Sequence, residues 1–94
     1  MIKSTTKRDH VPLTSAQIRA ARALIRWSAE DLARASAVGV TTIRRAELTE
    51  EKTSLTAAND LSIRRALEIA GVEFIPKNGD GAGVRLRGQT KLRG

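Results

Sequence analysis

The 94-residue chain has no cysteine, no tyrosine, one histidine, two prolines and two aromatic residues, Trp27 and Phe74. Without cysteine there is neither a disulfide nor a thiolate metal site, which suits a reducing compartment such as the cytoplasm. The lone histidine, His10, stands in a polar leader, and the acids are scattered among arginines. No nucleophile has a base beside it and no cluster has metal-ligand spacing, so the chain is expected to carry no catalytic residue, no metal and no cofactor. The shortage of aromatics leaves few platforms for stacking single-stranded bases, which disfavours RNA. No apolar run approaches the roughly 20 residues of a membrane span, and "MIKSTTKRDH" lacks the apolar segment of a signal peptide. A soluble, cytoplasmic protein with no membrane partner is expected.

Acids are scarce too: ten Asp and Glu face seventeen Lys and Arg, giving a formal net charge of +7. A dense basic surface favours a polyanion, because phosphate binding releases condensed counterions. The length fits one small domain, near the size at which a single core is barely sufficient, so help from a second subunit fits the same numbers.

Residues 1–12 are polar and basic, with Lys3, Lys7 and Arg8, and read as a flexible arm that could reach along a nucleic acid. Order is expected to start at "LTSAQI", where Thr14 and Gln17 form a capping box and Leu13 and Ile18 a hydrophobic staple. Ile18, Ala21, Leu24 and Ile25 then make one apolar stripe, with Arg19, Arg22 and Arg26 turned to water. The pattern recurs at "WSAEDL", with Ser28 and Asp31 as the box and Trp27 and Leu32 as the staple, and at "VGVTTI", with Val38 and Ile43. There the cap is Gly39, which has no side-chain oxygen to offer. A third helix over about Val40 to Leu48 follows, then a polar loop, "TEEKTSLT". A fourth helix runs to Ala70, starting at Thr56 or Asn59, with Ile63 and Leu67 inward and Gly71 as its left-handed terminator.

After Gly71 the hydrophobic period changes to two, through "VEFI" and "VRLR", which predicts a hairpin. Sharing one apolar face pairs Val72 with Leu86 and Phe74 with Val84, places Glu73 opposite Arg85 and centres the loop on Gly79. Outward Arg85, Arg87, Lys91 and Arg93 would discourage edge aggregation or add phosphate contacts. Residues 88–94 read as a basic tail.

Two short helices joined by "SAVG" have the arrangement of a helix-turn-helix. On "EDLARASAVGVTTIRR", and from Leu13 to about Arg87, the chain resembles the small regulators of the lambda repressor and Cro class, also called the xenobiotic-response-element class. The variety it looks most like is the short bacterial type ending in a "GVEFI…GVRLR" hairpin. The resemblance implies a mainly α, four- to five-helix domain over residues 13–70, followed by a hairpin over 71–87 that serves dimerisation. It departs from the family at Ala37, where glycine is usual in the turn, and at Ala29, where a phosphate-binding glutamine is frequent.

By position, the resemblance makes Gly39, Val40, Thr41, Thr42, Arg44 and Arg45 the recognition surface for double-stranded DNA, with Ser28, Arg34 and Lys52 on phosphate. Arginine reads guanine in bidentate fashion, threonine bonds a base or covers the thymine methyl, and valine offers apolar contact alone. Arg44 and Arg45 diverge by about 100° on a helix, so one reads a base and the other holds phosphate; Arg44 is assigned the base. The bland alternative for "TTIRRAEL" is a solvated helix whose arginines pair with Glu47 or Glu50. In the second copy of the tetrapeptide, "LSIRRALE", Arg64 is expected at the surface with Glu68.

One recognition helix carries thin specificity, and a lone two-stranded ribbon is marginal in water. A homodimer through Val72, Phe74, Ile75, Val84 and Leu86, on an inverted repeat, is therefore expected, as is control of its own or a neighbouring promoter. Rival readings are an antitoxin-like module with a protein partner and a recombination or architectural factor that bends DNA.

Overall fold

The computed structural model describes residues 11–49, 52–77 and 81–88. Its elements are α1 (Ser15–Ile25), α2 (Ala29–Ser36), α3 (Val40–Leu48), α4 (Ala57–Ile69), β1 (Val72–Ile75) and β2 (Gly83–Leu86). The chain is thus mainly helical with a C-terminal antiparallel hairpin. The expected tail after Gly88, the loop centre at Gly79 and most of the expected arm lie outside the described residues.

Both capping boxes form as the spacing predicts. Thr14 accepts from the Gln17 N–H while the Thr14 N–H donates to Gln17 Oε1, and Ser28 and Asp31 repeat the exchange at α2. Each box satisfies two N–H groups that a helix start otherwise leaves without partners. Thr56, not Asn59, caps α4. The staple residues Leu13, Ile18, Leu32, Val38 and Ile43 all enter the core, whose other members include Ile63, Leu67 and Val72; Trp27 packs against it half-buried. Burying one such side chain contributes roughly 1.5–3 kcal/mol, and these contacts hold helices too short to persist alone.

Two backbone positions absorb the tight turns. Arg26 ends α1 with φ 58° and Ala37 ends α2 with φ 62°, both left-handed although neither is glycine. For an L-residue that conformation costs roughly 1–2 kcal/mol, and at Ala37 it is the turn the sequence demanded without supplying a glycine. Gly71, at φ 107°, takes the positive angle for which glycine is suited.

The hairpin register is the expected one: Val72 faces Leu86, Glu73 faces Arg85, Phe74 faces Val84 and Ile75 faces Gly83. The ribbon does not stand alone. Val72, Phe74 and Val84 lie against the helical core, and Gln17 Nε2 donates to the Gly83 carbonyl at 3.0 Å. Gln17 therefore does two jobs, closing the α1 cap with its oxygen and holding the hairpin with its nitrogen.

Several side chains differ from expectation. Leu24 is exposed, because Ile18 and Ala21 already fill the contact between α1 and its neighbours. Arg22 turns inward and grips Glu47 with Nε and Nη2, both at 2.7 Å, while Arg19 reaches the Glu47 carbonyl. That bidentate pair lifts the Arg22 pKa, opposed by partial burial. Val11 and Pro12 lie within the described residues, and Arg64 Nη2 donates to the Val11 carbonyl.

Candidate nucleic-acid interface

Residues 28–48 form the α2–turn–α3 unit. Ser36 Oγ donates to the Leu32 carbonyl and accepts from the Val38 N–H, and Ala37 reverses the chain. Val38 plugs the turn into the core. The α3 helix then turns Ile43, Ala46 and Glu47 inward, with Val40 packed at the core margin. At about 100° per residue, the opposite surface is centred on Thr41 and Arg45, one turn apart, with Leu48 beyond them. All three are exposed.

Gly39 caps α3 with no side-chain hydrogen bond, and a Cβ placed there would meet nothing within 4 Å. Its φ of −59° asks for no glycine. The start of α3 is therefore an open, bare helix end, unlike the side-chain-capped starts of α1 and α2.

The two arginines of α3 differ. Arg44 is 55% exposed and forms an ion pair with Glu30 at the start of α2, so it leans along the α2–α3 side. Arg45 is exposed, and no ion pair of it occurs among the described residues. The bland expectation of pairing with Glu47 is not met, because Glu47 is committed to Arg22. Glu30 is held below the usual carboxylate range first by its own backbone N–H and then by Arg44, and Asp31 is held down by the Ser28 backbone and hydroxyl. Arg34 is 73% exposed and pairs with Asp31 one turn back. Ser28 thus caps α2 and Arg34 stands in its last turn, with Asp31 offsetting the charge of Arg34 and Glu30 that of Arg44. Among the described residues, no group of three or more His, Cys, Asp or Glu is placed to hold a metal. None of the described helices is long and apolar enough to cross a membrane.

The remaining expected residues separate. Lys52 lies past the C-terminal end of α3, where its backbone bridges to Thr14, and it borders the hairpin rather than the start of α3. Of the expected dimer contacts, Val72 is fully buried in this chain's own core and has no surface to offer a second copy. Phe74, Ile75 and Val84 are half-buried, while Leu86 stays 47% exposed beside the exposed Arg85 and Arg87.

Arg64 is not the surface residue expected from its Glu68 spacing. Its side chain is 23% exposed, its guanidinium lies 5.5 Å from the Phe74 ring centroid, and Nη2 donates to the Val11 carbonyl. Beneath it Asp60, almost fully buried, accepts from the Leu13 N–H at 2.9 Å. The sequence reading passed over both Asp60 and the inward role of Glu47. A signal existed: Asp60 falls in line with Ile63 and Leu67, and Glu47 with Val40 and Ile43, at i, i+3 and i+7. An acid on an apolar stripe needs a buried partner.

No protein-family model matches the chain, and no curated protein is significantly similar to it.

Proposed function

We propose that the chain is a sequence-specific regulator that binds double-stranded DNA by laying α3 in the major groove. It acts as a homodimer on an inverted repeat, at its own or a neighbouring promoter. The observation that carries the reading is the outer face of α3, where Thr41 and Arg45 project one turn apart behind a sharp turn and a bare helix start. A guanidinium with no ion-pair partner among the described residues, beside a threonine, suits guanine O6 and N7 with a neighbouring base or methyl. The N–H groups that Gly39 leaves uncapped favour a phosphate. A formal charge of +7 supplies the long-range attraction.

We assign the base-reading role to Arg45, supported by its place at the centre of the exposed α3 face, while Arg44 leans towards Glu30. Arg44 suits phosphate, exchanging one anion for another, and opening an exposed pair costs only about 0–1 kcal/mol. Val40 supplies an apolar edge, and Ser28 and Arg34 fit the flanking backbone.

Footprinting and competition binding on the DNA upstream of the coding sequence test the reading. Arg45→Ala loses about 1–3 kcal/mol of discrimination at one base position. Arg44→Ala weakens all sequences alike and lowers the salt slope by about one. Equal loss of specificity in Arg45→Ala and Arg64→Ala rejects the assignment. Sedimentation showing a monomer both free and on the duplex rejects the dimer.

A further inference from the structure

The start of α1, one side of α4 and the hairpin enclose a groove of about 440 Å³ that shares no residue with α2 or α3. That volume falls within the range of small-molecule sites. Leu61, Phe74 and Ile75 give it an apolar floor, and Lys52 and Lys77 line it too. No acidic side chain is among its described lining residues.

Arg22, Arg34, Arg44 and Arg85 each have a carboxylate partner, whereas no described carboxylate pairs with the ammonium of Lys52 or Lys77. Arg64 also stands in the wall, fixed over Phe74 and bonded to the Val11 carbonyl, with its charge offset by the buried Asp60 at 4.0 Å. An apolar floor gives a bare inorganic anion nothing to bury, and unpaired ammonium groups give a neutral hydrocarbon nothing to neutralise. The complementary ligand has both parts.

We infer that this groove binds a small organic acid, with a compact apolar body on Leu61, Phe74 and Ile75 and a carboxylate paired with Lys52 and Lys77. The body touches α4 and β1 while the charge meets Lys52 beside the α1 start, so the ligand fastens the hairpin to the helices. The inference is independent of DNA binding and is tested without DNA.

The probes are 1-naphthoate and the neutral 1-naphthamide, titrated into the isotopically labelled full chain and followed by amide chemical shifts. The acid should shift Lys52, Leu61, Phe74 and Ile75 and bind at least about tenfold tighter than the amide, the gain expected of charge pairing. At ten times its Kd it should raise Tm by about 5 °C or more. The double variant Lys52→Ala/Lys77→Ala, at exposed positions, should weaken the acid about tenfold or more and leave the amide unchanged. Leu61→Glu, also exposed, should abolish binding of the acid. Equal affinity for acid and amide overturns the inference, as do shifts scattered beyond the groove. An acidic amphipathic peptide that displaces naphthoate with higher affinity overturns it in favour of a protein partner.

Discussion

In α3 the run Ile43, Arg44, Arg45, Ala46 buries its two ends and leaves both guanidinium groups outside. In α4 the same four residue types, Ile63, Arg64, Arg65, Ala66, bury the same two ends, yet Arg64 is three-quarters covered and only Arg65 is exposed. Local chemistry is identical; the neighbours are not. Beside Arg44 lies the exposed Glu30, across a helix pair with open solvent. Beside Arg64 lie the buried Asp60, one turn back on α4, and an aromatic ring and a backbone carbonyl brought there by the hairpin and the segment before α1. A cation becomes structural when elements distant in sequence surround it, and stays available to a ligand when they do not.

The largest effect that would break this comparison is on stability. Arg64→Ala removes the ring contact and the Val11 bond and leaves Asp60 without its nearby cation, so it should cost about 2–3 kcal/mol in denaturant unfolding. Arg44→Ala should stay within about 0.5 kcal/mol of the parent. Equal losses would mean that the two copies are structurally equivalent. Arg45→Ala should leave the unfolding midpoint unchanged while degrading base discrimination, which separates a reader from a strut.

Smaller effects sharpen the picture around α3. Ala37→Gly relieves a left-handed alanine at an exposed position and should stabilise by about 0.5–1 kcal/mol. Gly39→Ser supplies the absent cap oxygen in open space and should add roughly a few tenths of a kcal/mol, measured by calorimetry. If α3 meets phosphate at its start, the same serine should weaken DNA binding while strengthening the fold. Parallel gains in both would place the contact elsewhere.

The smallest effect is a pH dependence. Glu30, Asp31 and Glu73 are all held below their usual range, Glu73 chiefly by its hydrogen bond to Arg85. A depressed folded pKa gives stability that is present above the unfolded value and lost as pH falls through the folded one. Tm should therefore be flat near neutrality and fall as pH drops through and below the carboxylate range. Acid releases Arg44 from Glu30 and leaves the Arg64 contacts with Phe74 and the Val11 carbonyl in place. Asp31→Asn should remove the Asp31 part of the decline and leave the parts due to Glu30 and Glu73.

The sequence by itself determined where α1, α2 and α3 begin, most of the apolar residues that enter the core, and the hairpin register. Each follows from spacing within a few residues: a cap and its N3 partner, a staple pair, a strand alternation with one face to bury. It also placed Thr41 and Arg45 on the expected recognition helix. Tertiary structure alone decided that Arg22 grips Glu47, that Arg64 leans on Phe74 above Asp60, that Glu30 holds Arg44, and that Val72 is spent inside its own chain. The pairs Arg44–Glu30, Arg22–Glu47 and Arg64–Val11 join residues 14, 25 and 53 positions apart in sequence. A charged side chain exchanges water only for a partner that the assembled fold delivers, and no local pattern records which partner arrives.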